Sequence, residues 1–383
     1  MRDDYMSVHQ LNLLPKRIEM ALKTDAALRL QKVIQELAEK QADVGSVLVV
    51  GAGASYSAAV FAVHALEERL SYENFSFFAE AVTPQTALMK LDYKYDLVIG
   101  ISYSGSSPDI TAVANECSYR YIPFLLITGV NPDSVKRMYD EEDCQIISYY
   151  NPEDDTDREY GMISMASTLI PCMLFYDACK CGDNMQSSHL ERIEDAKQRM
   201  EAIHKAGTLS VLAYSLKAHP MIHLLYDYHH LPVMHDLESK LTESGIACVM
   251  LHEKKNFSHG RTNVLFRQDF GMIINLAVYG LTFGEDIEKN FLSLVNGDCQ
   301  VDYANGYEKK LASFLKEVCK EKHSVYYEMR SVFGTDVSWN LDCMCQLPYW
   351  ITYLGEALEI DISKPANPIP CIVNDLYRYE GSF

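Results

Sequence analysis

Short apolar runs alternate with helical patterns along the first half of the chain. The first 44 residues predict amphipathic helix, and the apolar run Ser46–Val50 then predicts a strand buried on both faces. Further strands are predicted at Phe75–Phe78, Asp96–Ile101, Pro123–Thr128 and Cys144–Ser148, and helices at Ser55–Leu70, near Pro84–Met89, from Ser107 and near Pro132–Tyr139. Strands and helices that alternate at this spacing require crossover connections. The pattern therefore predicts an α/β fold with a parallel, doubly wound sheet and helices on both faces.

The second half of the chain has a less regular pattern. An acidic loop, Asn151–Gly161, and an apolar helix, Ser164–Ala178, lead to a charged helix near Gly182–Gly207 that joins the halves. Beyond it lie the apolar runs Val211–Leu216 and Met221–Tyr226, then predicted helices at Pro232–Ser244 and Leu341–Glu356 and predicted strands at Cys248–His252, Gly271–Gly280 and His323–Met329. We expect a helical segment at 1–44, one α/β domain at 45–182, a linking helix at 183–207 and a second domain at 208–383.

Two loops at strand-to-helix junctions indicate phosphate binding. GISYSGSSPDI (Gly100–Ile110) places four serines and Gly105 before a helix, and GAGASYS (Gly51–Ser57) follows the first strand. Hydroxyls and backbone N–H groups at the start of a helix suit a phosphate monoester and require no lysine or arginine. Two alternatives stay open. In the first, the serines only cap a helix. In the second, the glycines form a dinucleotide fingerprint, which here lacks its third glycine because Tyr56 occupies that position.

The composition narrows the classes of partner. The formal net charge is -19, which disfavours nucleic acid. The N-terminus lacks the pattern of a signal peptide, and the longest apolar stretch, Met272–Phe283, is too short to span a bilayer. The 11 cysteines form no disulfide framework, which favours reduced thiols. We expect a cytoplasmic protein that binds neither nucleic acid nor a membrane.

The segments VLVVGAGASYSAA, DLVIGISYSGSSPDI and EYGMISMAST together resemble the three phosphosugar-contacting segments of the sugar isomerase (SIS) domain family. The resemblance implies two SIS-type lobes, each with a flavodoxin-like parallel sheet. It also implies a sugar-phosphate site formed by Gly53, Ser55, Ser102, Ser104, Ser107 and Ser164.

The resemblance extends more faintly into the second half. HDLESKLTESG resembles the helix whose final glutamate, here Glu243, moves a proton between two carbons, and NFSHGR resembles the segment whose histidine, here His259, helps to open the sugar ring. Arg261 is a candidate to hold a second anionic or hydroxyl group. The segment Asp361–Pro370 resembles a C-terminal tail that folds over the site, where Lys364 is the candidate for a tail lysine missing from its usual place.

These residues imply an enzyme that isomerises, deaminates or deglycates a phosphorylated sugar or sugar amine through an enediol or enamine, without metal or cofactor. The resemblance also implies a homodimer or larger homo-oligomer, with the His259 loop reaching a neighbouring subunit's site. Three alternatives remain: a non-catalytic sensor of phosphosugars, a member that lost its chemistry, and a metal site at the histidine cluster His223, His229, His230 and His235 with Glu238. For Glu243, the plain alternative is a solvated residue beside Lys240.

Overall fold

A computed structural model describes residues 4–39, 45–71, 77–93, 95–139, 144–156, 158–180, 185–277, 306–329 and 336–364. The chain divides into two compact units. The first unit comprises His9–Leu190 and Ser363–Phe383, and the second comprises Met1–Val8 and Glu191–Ile362.

The first unit contains a parallel five-stranded sheet. Its strands are β1 (Gly45–Val50), β2 (Phe77–Val82), β3 (Leu97–Ile101), β4 (Phe124–Thr128) and β5 (Cys144–Ser148). Their spatial order is β2-β1-β3-β4-β5, and every neighbouring pair is parallel. The chain therefore turns from one side of β1 to the other between β2 and β3. Ligands of open α/β sheets bind beside such a switch point, at the carboxyl ends of the strands.

Helices cover this sheet. They are α1 (Met6–Leu22), α2 (Ala26–Glu39), α3 (Ala54–Ser71), α4 (Pro84–Lys90), α5 (Pro108–Tyr119), α6 (Pro132–Val135), followed by the 3₁₀ turn Lys136–Met138, and α7 (Ala166–Lys180). All residues of β3 and β4 are buried, as their continuous apolar runs predict. Ile110 and Val113 of α5 pack with Phe124 in the core. A side chain at Gly100 would place its Cβ 2.6 Å from the ring of Phe124, so only glycine fits there.

The second unit contains a parallel four-stranded sheet. Its strands are β6 (Met221–Tyr226), β7 (Cys248–Glu253), β8 (Met272–Leu276) and β9 (Val325–Met329), in the order β7-β6-β8-β9. Its helices are α8 (Met185–Lys205), α9 (Thr208–Ala218), α10 (Leu231–Glu243), the short α11 (Lys254–Asn256) and α12 (Asn263–Arg267), α13 (Gly306–Lys322) and α14 (Asp336–Leu358). A π-helical turn, Phe257–Arg261, lies between α11 and α12. This strand order repeats the order of the first four strands of the first unit, so the prediction of two doubly wound α/β lobes is confirmed.

Several elements differ from the sequence prediction. Strand β2 begins at Phe77 and runs to Val82, whereas the apolar run that predicted it begins at Phe75, outside the described residues. Its burial is incomplete because β2 is an edge strand. The apolar run Val211–Leu216 lies within helix α9, since apolar runs of this length fit either a strand or a buried helix. Strand β8 ends at Leu276, and Tyr279 and Gly280 of the predicted strand lie outside the described residues.

In the part of the chain that the structure describes, no helix combines the length and apolar character needed to cross a bilayer.

Candidate functional site

The loop after β1 turns tightly into α3. A Cβ at Gly51 would lie 2.3 Å from the carbonyl oxygen of Ser55, so the first turn of the helix packs directly against the glycine. Gly53 has a φ of +54°, in the left-handed region that favours glycine. Ser55 lies half-buried in the first turn of α3. The loop therefore places a serine hydroxyl and the amino end of a helix at the carboxyl end of β1.

The loop after β3 lies beside it, because β1 and β3 are neighbouring parallel strands with Val50 opposite Gly100. Ser102 is buried, and its N–H donates to the carbonyl of Ile127 on β4 (3.0 Å). Gly105 has a φ of +61°, and a Cβ there would lie 2.8 Å from Oγ1 of Thr128. The hydroxyl of Tyr139 donates to the carbonyl oxygen of Gly105 (2.7 Å). Contacts beneath the loop thus fix its backbone.

The fold makes little use of the serine hydroxyls in this loop. Ser107 is the N-cap residue of α5, yet its side chain accepts no hydrogen bond from the helix. Among the described residues, Ser104 accepts one hydrogen bond, a long one from the N–H of Ser106 (3.3 Å). The plain alternative was that the Ser107 side chain caps α5, and the structure contains no such cap. The hydroxyls are therefore available to a ligand at the amino end of α5.

The third segment is joined to this loop through Glu159. The Glu159 carboxylate accepts hydrogen bonds from the N–H groups of Met165 (2.7 Å), Ala166 (2.8 Å) and Ser167 (2.7 Å) and so caps α7. The N–H of Glu159 donates to the hydroxyl of Tyr103 (3.2 Å). Ser164 lies half-buried within the turn that this cap closes.

The described part of the acidic loop 151–161 is anchored at several points. Besides the Glu159 cap, Asn151 donates through Nδ2 to the carbonyl of Met20 on α1 (2.9 Å), and Lys16 forms an ion pair with Asp155. The sequence left the purpose of this loop open. These contacts give the loop a structural role, because the loop connects α1 to the start of α7.

The beginning of the C-terminal tail reaches the third segment. The carbonyl oxygen of Ser363 accepts a hydrogen bond from the N–H of Met162 (3.1 Å). A Cβ at Gly161, whose φ is +104°, would lie 2.9 Å from Cβ of Ser363. Lys364, the next residue, is exposed beside this contact. The remainder of the predicted tail, 365–370, lies outside the described residues.

In the second unit, Glu243 is the last residue of α10. Its Oε1 accepts a hydrogen bond from the hydroxyl of Ser239 (2.7 Å). Glu243 is solvent-exposed as a whole. Partial desolvation of its carboxyl group by the surrounding protein raises its pKa, and the Ser239 hydrogen bond and Lys240 oppose the rise. Lys240 is buried and paired with Asp236 rather than with Glu243. The exposed side chain of Glu243 also fits the plain alternative of a solvated glutamate, so its role as a base stays a prediction.

His259 and Arg261 occupy the π-helical turn after α11. Phe257 anchors the turn: it is fully buried, and its ring centroid lies 4.8 Å from that of His252. Gly260 has a φ of +121°, which a side chain would strain. His259 and Arg261 are both exposed. The turn is thus anchored through its apolar residue, while its two polar candidates face solvent.

The first unit therefore brings together the loops that carry Ser55 and Ser102–Ser107, the segment that carries Ser164 and the residue that precedes Lys364. Glu243, His259 and Arg261 belong to the second unit. That the two groups form a common site stays a prediction.

Sequence reasoning missed a charged network at the carboxyl ends of the second sheet. Lys254 is almost fully buried, and its ammonium group lies 3.0 Å from Oε1 of Glu308, 3.5 Å from Oδ2 of Asp227 and within hydrogen-bonding reach of the Leu276 carbonyl. Nδ1 of His230 lies 2.7 Å from Oδ1 of Asp227. Burial disfavours the ionised form of Asp227, but the contacts with His230 and Lys254 prevail and lower its pKa to about 2.

A cavity of about 380 Å³ adjoins this network, lined by Asp227, Glu253, Lys254, Lys255, Tyr307 and Glu308. The signal in the sequence was an ionisable residue directly after each of two apolar strands, Asp227 after β6 and Lys254 after β7.

The histidine cluster does not converge on a metal site. Nδ1 of His223, on β6, lies 2.8 Å from Nε2 of His252, on β7, and both rings are buried. His230 pairs instead with Asp227. Within the described ranges, no group of three or more His, Cys, Asp or Glu side chains is placed to hold a metal ion. The cysteines of the same ranges are free thiols.

Comparison with known proteins identifies part of the chain. The SIS domain family model matches residues 41–178. No curated protein sequence matches the chain.

Solved structures share the fold over nearly the whole chain. The C-terminal domain of glucosamine-fructose-6-phosphate aminotransferase from Francisella tularensis is 16% identical, with a TM-score of 0.63, covering 95% of this chain and 100% of that one. Tagatose-6-phosphate ketose/aldose isomerase from Escherichia coli is 15% identical, with a TM-score of 0.59 and coverage of 92% and 93%. Glucosamine-6-phosphate deaminase from Thermotoga maritima is 16% identical, with a TM-score of 0.54 and coverage of 91% and 98%. At these identities the likeness concerns the fold alone.

Proposed function

Because residues 41–178 match the SIS domain family model, we propose that this protein binds a phosphorylated sugar or sugar amine and rearranges it by proton transfer. One observation carries the proposal: two glycine- and serine-containing loops follow neighbouring strands at the switch point of the first sheet, and their hydroxyls are barely used by the fold. Main-chain N–H groups and hydroxyls at the start of a helix favour a dianionic phosphate. An acidic protein can therefore hold a phosphate there by local donors.

In this proposal Gly53 allows the first loop to turn, and Ser55, Ser102, Ser104 and Ser107 bind the phosphate group. Ser164, whose segment is joined to the second loop through Glu159 and Tyr103, lies by the sugar. Lys364 is proposed to serve the same region, and the hydrogen bond between Ser363 and the third segment supports this. The contacts within the first unit support these proposed roles.

Glu243 is the proposed base. Isomerisation takes a proton from one carbon and returns it to the neighbouring carbon, and a carboxylate whose pKa is raised by desolvation suits both steps. Ser239 holds one carboxylate oxygen and leaves the other for the substrate. His259 exchanges a proton with the ring oxygen when the sugar opens, and Arg261 holds a further polar group of the substrate. No step in this scheme requires a metal or an organic cofactor.

Proton exchange tests this function. The protein is incubated with hexose 6-phosphates and hexosamine 6-phosphates in deuterium oxide, and the C1 and C2 protons are followed by NMR. We expect exchange with at least one ligand, and a loss of about 10²- to 10⁴-fold in Glu243→Gln with ligand affinity kept. Binding without exchange in the unaltered protein would contradict catalysis by proton transfer and would favour a regulatory, phosphosugar-sensing protein. Deglycation is tested separately with phosphorylated sugar–amine adducts.

We propose further that the protein works as a homo-oligomer in which His259 serves the site of a neighbouring copy. The exposure of His259 and Arg261 in the isolated chain supports this. Co-expression of Glu243→Gln and His259→Ala chains should restore part of the turnover that each variant lacks alone, because a mixed dimer holds one intact site. Mixed oligomers without recovered turnover would show that both residues act within one chain.

A further inference from the structure

Arg158, which is not one of the proposed phosphate contacts, lies over a tyrosine ring of the second serine loop. Cζ of Arg158 is 5.4 Å from the ring centroid of Tyr103. Tyr103 stands between Ser102 and Ser104, two of the proposed phosphate contacts. A guanidinium group is therefore held against the loop on the side where the third segment approaches.

The ring of Tyr103 is a rigid platform for this arginine. A Cβ at Gly129 would lie 2.5 Å from the ring, so the ring packs directly on the glycine backbone. The Tyr103 carbonyl accepts hydrogen bonds from Oγ1 of Thr128 (3.0 Å) and from the N–H of Gly129 (3.1 Å), and its hydroxyl accepts one from the N–H of Glu159. Stacking on a fixed ring limits the rotamers of Arg158 and prepares its fork of N–H donors.

Arg158 is exposed and forms no ion pair with a carboxylate of the described residues. The chain has 53 acidic and 34 basic residues, and other cations of the first unit, such as Lys16 and Arg120, are paired with carboxylates. An exposed arginine is ordinary by itself. Its position on the tyrosine of the serine loop, with its N–H donors available, is what points to a ligand.

Further positive charge collects at the same place. Arg17 of α1 is buried close enough to Tyr103 to act on its hydroxyl: burial raises the pKa of Tyr103, and the charges of Arg158 and Arg17 oppose that rise. Lys364 follows Ser363, which is bonded to Met162 of the third segment. Arg158 and Arg17 therefore place two positive charges by Tyr103, where the Glu159 carboxylate is already engaged by three N–H groups at the start of α7.

We infer that Arg158 binds a second anionic group of the substrate, so that the preferred substrates are sugar phosphates that also carry a carboxylate or a second phosphate. The inference rests on the proposed function and specifies its substrate class. A guanidinium fork binds carboxylate or phosphate oxygens in a bidentate manner and does so more tightly than it binds hydroxyls. The serine loops hold one phosphate without a basic side chain, which leaves Arg158 for the second anion.

Calorimetric titration with matched ligands tests the inference. The ligands are a hexose 6-phosphate, the corresponding 1,6-bisphosphate, a 6-phosphofructosyl amino acid and the same adduct made with an amine that lacks the carboxylate. We expect the unaltered protein to bind the carboxylate adduct or the bisphosphate about tenfold or more tightly than the matched ligand with one anion. Which of the two pairs shows the difference identifies the anion as carboxylate or phosphate.

The variants assign that difference to Arg158. Arg158→Gln should remove the preference and leave affinity for the single phosphate within about twofold, and Arg158→Lys should keep part of it. Arg120→Gln is the matched control, because it removes the same charge from the far end of α5, about 18 Å away along the helix.

A protein that binds hexose 6-phosphate but shows no preference for a second anion would overturn the inference and leave the proposed function standing. Equal weakening of every ligand by Arg158→Gln would also overturn it, since Arg158 would then act on the first phosphate. Absence of binding by all four ligands would instead contradict the proposed function. If Arg158→Gln misfolds, Arg158→Lys still assigns the preference, because a preference that Arg158→Lys leaves unchanged would point to another cation such as Arg261.

Discussion

The carboxyl ends of the two sheets have the same topology and opposite chemistry. In the first sheet, the loops after β1 and β3 present glycines, hydroxyls and N–H groups, and Ser107 does not even cap its own helix. In the second sheet, the residues after β6 and β7 are Asp227 and Lys254, and Lys254 pairs with both Asp227 and Glu308. The second edge pairs its charges internally, whereas we propose that the first edge leaves its hydroxyls and N–H groups for a ligand.

The same strand order thus carries different polar groups at its carboxyl edge in the two sheets. A phosphate would meet donors at the first edge, whereas at the second it would meet the carboxylates of Asp227, Glu253 and Glu308, with Lys254 already neutralised. The second half of the sequence also lacks a counterpart of the S-x-S-G pattern formed by Ser102–Gly105. We therefore propose a single phosphate site per chain. The four predictions below test this contrast, beginning with the largest effect.

Lys254→Met should cost about 3–5 kcal/mol of unfolding free energy, because it leaves the carboxylates of Asp227 and Glu308 without their buried counter-charge. Urea unfolding of the full chain measures the loss. Lys255→Met is the matched control: that lysine is exposed above the ring of Tyr307, and its removal should cost less than about 1 kcal/mol. Equal effects of the two substitutions would show that the internal pairing at the second edge does not stabilise the fold.

Gly105→Ala should destabilise the first edge by about 1–3 kcal/mol and weaken sugar-phosphate binding. The residue has a positive φ, and the added methyl would lie 2.8 Å from Oγ1 of Thr128 and 3.0 Å from Cγ1 of Val135. Gly207→Ala provides the comparison, since its φ is also positive (+77°) but nothing lies within 4 Å of the added methyl. Calorimetric titration and urea unfolding of both variants separate backbone strain from crowding. If Gly105→Ala binds ligand like the unaltered protein, the serine loop is not rigid.

Acid should weaken the second sheet through the pair of buried histidines. The pKa of His223 is lowered to about 4 by desolvation and by His252, and that of His252 to about 4 by desolvation and by Arg261. Because these folded-state values lie below the unfolded value near 6.5, the unfolded chain binds protons first, and stability falls as the pH drops from about 6.5 towards 4. We expect the two histidines together to cost about 2 kcal/mol of unfolding free energy between pH 6.5 and 5.5.

Urea unfolding of the full chain at several pH values checks this. A His223→Phe/His252→Leu double variant should show a shallower dependence in that window. The stability that Asp227 contributes is lost only at lower pH, because its folded pKa of about 2 lies below its unfolded value near 3.9. This contribution disappears as the pH falls from about 3.9 to about 2. Stability that stays constant from pH 6.5 to 4.5 would contradict the neutral, buried state of the two histidines.

Ser107→Ala should reduce affinity for a sugar phosphate about tenfold, and it should change the unfolding free energy by less than about 0.5 kcal/mol, because the hydroxyl makes no cap hydrogen bond. Ser148→Ala is the control of opposite character: its hydroxyl donates to the carbonyl of Val130 (2.7 Å), so that substitution should cost stability. A Ser107→Ala protein that is clearly less stable would mean that the hydroxyl serves the fold after all.

Much of the fold was determined by the sequence pattern. Continuous apolar runs such as Leu97–Ile101 and Phe124–Thr128 are strands buried on both faces, and the residues that follow them were correctly predicted as loops. The position of Ser107 before Pro108 also fixed where α5 begins. These features are local: a buried strand or a helix start depends on neighbouring residues along the chain.

The tertiary structure decided what local pattern leaves open. Val211–Leu216 is as apolar as a strand but lies in a helix, because a short apolar run has no period that distinguishes the two. Nor does the sequence indicate that Glu159 caps a helix six residues ahead, or that Arg158 lies on Tyr103, 55 positions away. The pairing of Asp227, Lys254 and Glu308 likewise joins residues far apart in the chain. Charge balance and site chemistry depend on distances in space, and only the packed sheets bring those residues together.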